Sequence, residues 1–219
     1  MNKLPEILLI DKPKHWTSND VIRKIKSITK IKKIGHAGTL DPLASGLLIL
    51  GLNDGTKKLT SLITKSKKYL AIIHFGYYTS TFDNEGEVLG YKSVIVQLND
   101  LIKTLDKIIN NSYFQVPPKY SAISINGKRA YELARKNINF TIEPKEVKLF
   151  SYKIISFNNN ELVIEVDVSK GFYVRSFAYD LGIKLNTYAN LAELKRISIG
   201  EFLLEDAFKI KDIYDLYNR

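Results

Sequence analysis

Apolar positions along the chain group into short blocks with two distinct periods. Ile7-Leu8-Leu9-Ile10 is a compact run closed by Asp11-Lys12-Pro13, the signature of a short buried strand. Val21, Ile22, Ile25 and Ile28 then recur at helical spacing behind Thr17 and Ser18, either of which can cap. Thr17-x-x-Asp20 resembles a capping box with Asp at the third position. The pattern predicts a helix to about Lys30 whose outer face carries Arg23, Lys24, Lys26 and Lys30. Further strands are predicted over 47–51, 67–76, 87–96 and 120–125, the last running into an Asn126-Gly127 hairpin turn. Two more, 146–157 and 161–169, flank Asn158-Asn159-Asn160, and a last one covers 198–204. Helices are predicted over 56–63, 98–110, 129–136, 173–185, 190–196 and 210–217. The second has Leu98, Leu101, Ile102, Leu105, Ile108 and Ile109 on one face. Strands and helices mix without a regular βαβ alternation. The expected class is α+β, with a mixed, mostly antiparallel central sheet flanked by helices and loops.

Length and composition narrow the choice. The chain has 219 residues, 45% of them hydrophobic, enough for one sizeable core. The expectation is one large domain over 1–219 or two fused lobes. The net charge is +10, and it is uneven: residues 1–70 hold 14 basic and 5 acidic side chains. A basic third on a nearly neutral body suits a polyanion such as nucleic acid. With no cysteine, a disulfide framework, a Cys-ligated metal and thiol catalysis drop out. His15, His36 and His74 show no metal-ligand spacing, so no metal is expected. No segment reads as a signal peptide or membrane span, which predicts a cytoplasmic protein. Phosphate-loop, GxGxxG and Gly-x-Ser-x-Gly patterns are missing, so no nucleotide cofactor is expected.

What remains is a glycine-punctuated loop, Gly35-His36-Ala37-Gly38-Thr39-Leu40-Asp41-Pro42-Leu43-Ala44-Ser45-Gly46, in the basic third. Taken alone, Asp41-Pro42 is a turn opener and His36 a loop histidine. The whole string closely resembles the signature of the TruB family of tRNA pseudouridine synthases. Other segments agree in order: Leu9-Ile10-Asp11-Lys12-Pro13 with Thr17-Ser18-Asn19-Asp20; Lys68-Tyr69; Tyr120-Ser121-Ala122-Ile123 with Asn126-Gly127-Lys128-Arg129; Ser169-Lys170-Gly171-Phe172-Tyr173-Val174-Arg175-Ser176; and Leu194-Lys195-Arg196. The resemblance runs from about residue 7 to about residue 205 and implies a pseudouridine-synthase-like fold.

The resemblance implies isomerisation of uridine 55 in the tRNA T-loop, without a cofactor. It gives Asp41 as the nucleophile and Tyr69 as the aromatic on the target base and candidate for the C5 proton step. Arg175 is the arginine that pairs with the catalytic carboxylate. Tyr173 and Leu194 line the flipped uridine, and His36 helps hold the extruded base out of its loop. Lys12 and Pro13 are expected to pack under the catalytic loop. Read without the resemblance, Tyr69, Tyr173 and Leu194 are core residues and Arg175 a surface cation.

Two features depart from the family's pattern. The chain stops at Arg219, where typical bacterial members continue into a PUA-type domain, and Ser124 stands where relatives often carry Lys. RNA affinity is then expected to rest on the basic third. The expected partner is the tRNA T-arm, bound by a monomer with no membrane and no obligatory protein partner. The alternative is a noncatalytic RNA-binding or tRNA-folding module of the same fold. A guide-RNA-dependent relative is disfavoured by the short chain.

Overall fold

The computed structural model describes residues 4–92, 95–158 and 160–217. Along the chain run β1 (Ile7–Lys12), α1 (Ser18–Thr29), β2 (Ile34–His36), β3 (Ser45–Leu52), α2 (Leu59–Ile63), β4 (Lys67–Phe75), β5 (Tyr77–Thr79) and β6 (Val88–Tyr91). There follow α3 (Leu98–Asn110), β7 (Tyr113–Gln115), β8 (Ser124–Ile125), β9 (Lys128–Arg129), α4 (Ala130–Arg135) and β10 (Lys145–Val147). The rest comprises β11 (Leu149–Asn158), β12 (Glu161–Val168), α5 (Val174–Lys184), β13 (Ala189–Ile199), β14 (Phe202–Leu203) and α6 (Ile210–Tyr217). The fold is α+β with mixed pairing, as the absence of βαβ alternation predicts. The described residues divide into two compact units, one up to Leu70 together with those from Leu194 onward, the other Ala71–Glu193.

In the first unit β3 is the organising strand. It pairs antiparallel with β1 (Leu8↔Leu50, Ile10↔Leu48), antiparallel with β2, and parallel with β13 at Lys195↔Ser45 and Arg196↔Gly46. Its unbroken apolar run is explained by burial on both faces. Leu48 and Leu50 join Leu8 and Ile10 under Val21 and Ile25 of α1 and Ile213 of α6. Leu47 and Ile49 face Leu59 and Leu62 of α2. Burial stabilises each such side chain by roughly 1.5–3 kcal/mol. The predicted capping box is present: the Asp20 N–H donates to Thr17 Oγ1 at 3.0 Å and the Thr17 N–H to Asp20 Oδ2 at 2.8 Å. Hydrogen bonds from Thr17 hold the Asp20 carboxyl at a pKa of about 2. Thr17 is therefore the cap, which leaves Ser18 free for another task.

In the second unit β4, β12 and β11 lie in that order, and β11 and β12 pair antiparallel. The middle residue of the predicted Asn158-Asn159-Asn160 turn, Asn159, lies outside the described residues. Helix α3 buries Leu101, Leu105 and Ile108, as its periodicity predicts, while Leu98 stays exposed. The Asn126-Gly127 turn has both residues at positive φ, 48° and 81°, the primed hairpin conformation.

Several predicted elements differ. Residues 190–196 form part of strand β13, not a helix. Ala-Asn-Leu-Ala-Glu-Leu-Lys-Arg is rich in helix formers, but neighbouring backbone claims its polar groups: the Leu191 N–H donates to Phe82 O, Leu191 O accepts from the Asn84 N–H, and Arg196 pairs with Gly46. The predicted strand 198–204 is the end of β13, a turn at Gly200 and the two residues of β14. Of 87–96 only Val88–Tyr91 pairs, with β5; residues 93–94 lie outside the described set. Of 120–125 only Ser124–Ile125 pairs, because the carbonyls of Tyr120, Ser121 and Ile123 serve Arg175, Tyr131 and Ala130. The predicted helix 56–63 is a 3-10 segment, Asn53–Lys58, followed by α2.

Candidate active site

The loop between β2 and β3 belongs to the first unit and carries Asp41. Buried groups fasten it at several points. Ser18, 3% exposed, uses its hydroxyl in both roles: Oγ accepts from the Leu40 N–H at 3.0 Å and donates to Leu40 O at 3.2 Å. Arg196, fully buried, donates from Nη2 to Gly38 O at 3.1 Å and from Nε to Leu47 O at 2.8 Å. The His15 N–H donates to Pro42 O at 2.7 Å, and the Ala44 N–H closes a turn on Asp41 O at 3.1 Å. Lys12 is fully buried and donates to Pro13 O at 2.9 Å and Trp16 O at 2.5 Å, bracing the segment that presents His15 and Ser18. Gly46 is obligatory: φ is 97°, and a Cβ there would lie 2.3 Å from Arg196 O across the parallel pair. Asp41 itself remains half-buried on this frame. The chain presents a half-buried aspartate on a loop fastened at several points.

His36, at the end of β2, is half-buried with its Nδ1 enclosed and without a hydrogen-bond partner. Burial, and then the charge of Arg196, push its pKa below 6.5, which favours the neutral ring. Tyr69 lies on the inward-facing row of β4 with Lys67, Ala71, Ile73 and Phe75. Leu194 is half-buried in β13.

In the second unit Arg175 occupies the first turn of α5 and Tyr173 is its N-cap residue. Arg175 is 5% exposed, so it is not a surface cation. Its Nη1 lies 3.5 Å from Asp83 Oδ2 and donates to Thr81 O at 3.2 Å; its Nη2 donates to Tyr120 O at 3.0 Å. Asp83, 2% exposed, divides its carboxylate. Oδ1 accepts from Thr81 Oγ1 at 2.5 Å and from the Glu85 N–H at 3.0 Å, an Asx turn, while Oδ2 faces the guanidinium. Between Thr81 and Asp83, Phe82 takes a positive φ of 61° and stacks on Tyr179 at 4.3 Å. Backbone strain of this kind persists only where neighbours over-determine it. Sequence reasoning missed Asp83, which sits in a stretch that reads as a polar turn. A cavity of about 740 Å³ lies beside it, walled by Tyr78, Phe82, Val116, Tyr120 and Tyr179.

The outer face of α1 exposes Lys24 and Lys30, while Arg23 is paired with Asp20. Among the described residues no three His, Asp or Glu side chains converge as a metal ion would require, and no helix is long and apolar enough to cross a membrane.

Comparison with known proteins gives a consistent picture. A family model described as TruB family pseudouridylate synthase (N terminal domain) matches residues 26–174. The protein named tRNA pseudouridine synthase B from Ureaplasma urealyticum serovar 10 is 50% identical over 214 residues, covering 97% of this chain and 93% of its own length. The protein of the same name from Fusobacterium nucleatum is 44% identical over 199 residues, covering 91% of this chain and 69% of its own length. Among solved structures, a chain of an H/ACA RNP bound to a substrate RNA containing 2′-deoxyuridine superposes with a TM-score of 0.73 at 23% identity. It covers 96% of this chain, which spans 53% of it, and at that identity the likeness is one of fold.

Proposed function

The chain belongs to the TruB family of pseudouridylate synthases, and on that premise we propose that it isomerises uridine 55 in the T-loop of tRNA to pseudouridine, with Asp41 as nucleophile. The observation that carries this reading is the fastening of the Asp41 loop. Ser18, Arg196 and the His15 backbone hold its main chain, and Asp41 is half-buried on it.

The chemistry needs few parts. The target base leaves its stack so that the glycosidic bond can be reached. Asp41 attacks, at C1′ of the sugar or C6 of the base, as the N1–C1′ bond breaks. The freed uracil turns on an aromatic platform and C5 bonds to C1′; the bond to Asp41 breaks, from C1′ as C5 takes its place or from C6 by elimination, so that the carboxylate is regenerated, the C5 proton leaves and N1 gains one. Nothing is oxidised or reduced, and no activated donor enters, so the reaction requires no cofactor. Tyr69 is the platform and the candidate for the C5 proton step. Tyr173 and Leu194 line the base, and neutral His36 supports extrusion without adding charge. Arg175 takes the cationic role that the resemblance implies, held in place by Asp83. Lysines on α1 supply phosphate contacts to the T-arm. The protein acts as a monomer on tRNA in the cytoplasm.

A T-arm stem–loop labelled with tritium at C5 of uridine tests this. The purified protein alone, without added cofactor, is expected to release the label to water in stoichiometric amount. Binding without release would instead favour a noncatalytic tRNA-folding module of the same fold.

A further inference from the structure

Gln115, the last residue of β7, is 1% exposed, yet its amide is fully engaged. Its Oε1 accepts from the Tyr173 N–H at 2.7 Å, and its Nε2 donates to Tyr173 O at 3.0 Å. The side-chain amide thus grips both main-chain polar groups of one residue. The orientation of the amide follows from its third partner. Nε2 also donates to the Tyr113 hydroxyl oxygen at 3.3 Å, whose own proton goes to Asp180 Oδ2 at 2.6 Å, so oxygen and nitrogen of Gln115 cannot be exchanged. An amide buried without partners would be costly; here donor and acceptor are both satisfied, and most of the pairing falls on Tyr173.

The place of this grip matters. Tyr173 O also receives the first bond of α5, from the Phe177 N–H at 3.0 Å, and Arg175 follows two residues later. A second tie, Ser176 Oγ to Val116 O at 2.7 Å, binds the same first turn to the residue after Gln115. The Tyr173 backbone, with φ −107° and ψ 110°, is extended, and the hold on its two peptide groups fixes the Cα–Cβ direction from which its ring departs.

We infer that Gln115 is a positioning residue for the pseudouridylation site: its amide fixes the Tyr173 main chain at the entry to α5 and thereby the pose in which the Tyr173 ring meets the uridine. This rests on the proposed reaction and on Tyr173 lining the base. It adds a residue that acts through another and touches no substrate.

The test compares Gln115→Leu, which removes both bonds to Tyr173, with Gln115→Glu, which keeps the acceptor for its N–H and replaces the donor to its carbonyl. Three quantities are read: the single-turnover rate at saturating stem–loop, the Kd for that RNA, and hydrogen exchange of the Tyr173 amide. The amide is followed in protein labelled with ¹⁵N-tyrosine. Gln115→Leu is expected to accelerate exchange at Tyr173 and to lower the chemical rate by about 10- to 100-fold, since a misplacement near 1 Å can cost that much. Kd should change by less than about threefold, the pattern of an interaction realised in the transition state. Gln115→Glu should retain protection at the Tyr173 amide and give an intermediate rate; it decides the matter alone if the leucine variant fails to fold. A folded variant that loses protection at Tyr173 but turns over at the original rate overturns the inference. So does an unaltered protein whose Tyr173 amide exchanges like that of an unstructured peptide. If the unaltered protein releases no tritium, the proposed function has failed instead, while the exchange measurement still reports on the grip.

Discussion

Asp41→Asn is expected to abolish turnover, lowering the single-turnover rate by roughly 10⁴-fold or more, the scale seen when a nucleophile or its equivalent is removed. RNA affinity should be unchanged. Asparagine has the shape of aspartate, and the loop main chain is tied at Leu40 on Ser18, at Gly38 and Leu47 on Arg196, and at Pro42 O on the His15 N–H. The Asp41 main-chain carbonyl keeps its bond from the Ala44 N–H whatever the side chain carries. The substitution removes the nucleophilic oxygen and leaves these main-chain ties in place. Tritium release and filter binding on the same stem–loop, with a thermal midpoint for each protein, check this. Loss of binding together with turnover would make Asp41 a structural residue of the loop.

The second large effect concerns Asp83. Arg175 is 5% exposed, and Asp83 Oδ2 lies 3.5 Å from its guanidinium. Asp83→Ala leaves a buried cation without this carboxylate and also removes the Asx turn that orders Thr81 and Glu85. Breaking a buried pair costs about 3–5 kcal/mol, and the lower end applies here because the separation is long and two carbonyls still accept from Arg175. About 3 kcal/mol lowers Tm by roughly 6–12 °C in a protein of this size. Asp83→Asn should be milder in stability, because an amide oxygen can serve the turn, yet the activity should still fall by about tenfold or more as Arg175 loses its orientation. A wild-type Tm and rate in Asp83→Ala would show that the pair holds nothing in place.

Most of what was legible in the sequence was local. The capping box at Thr17, the α3 stripe and the Asn126-Gly127 hairpin are written in a few consecutive residues, and each forms where the pattern puts it. The Asp41 loop and its motif neighbours could be read because their residue types recur as a family signature. Strand β13 was not legible, since its composition favours a helix and its strand character comes from β3 and from the 82–84 turn. Asp83 and Gln115 were missed for a related reason. A single Asp in a polar turn and a single Gln after a phenylalanine carry no periodic signal; each acquires its role from a partner about 60 to 90 positions away in the chain. Arg196 stood within a quoted motif, but its task, tying Gly38 and Leu47 across the fold, is a matter of tertiary geometry. Ser18 looked like a helix cap until Thr17 took that position and the Ser18 hydroxyl turned to Leu40.

The most direct measurement is the position of new pseudouridine in an unmodified tRNA transcript incubated with the protein alone, mapped by carbodiimide adduct formation and primer extension. A single stop reporting pseudouridine at position 55, missing with the Asp41→Asn protein, is the expected result. Pseudouridine at other positions, or none while the transcript is bound, would contradict the assignment.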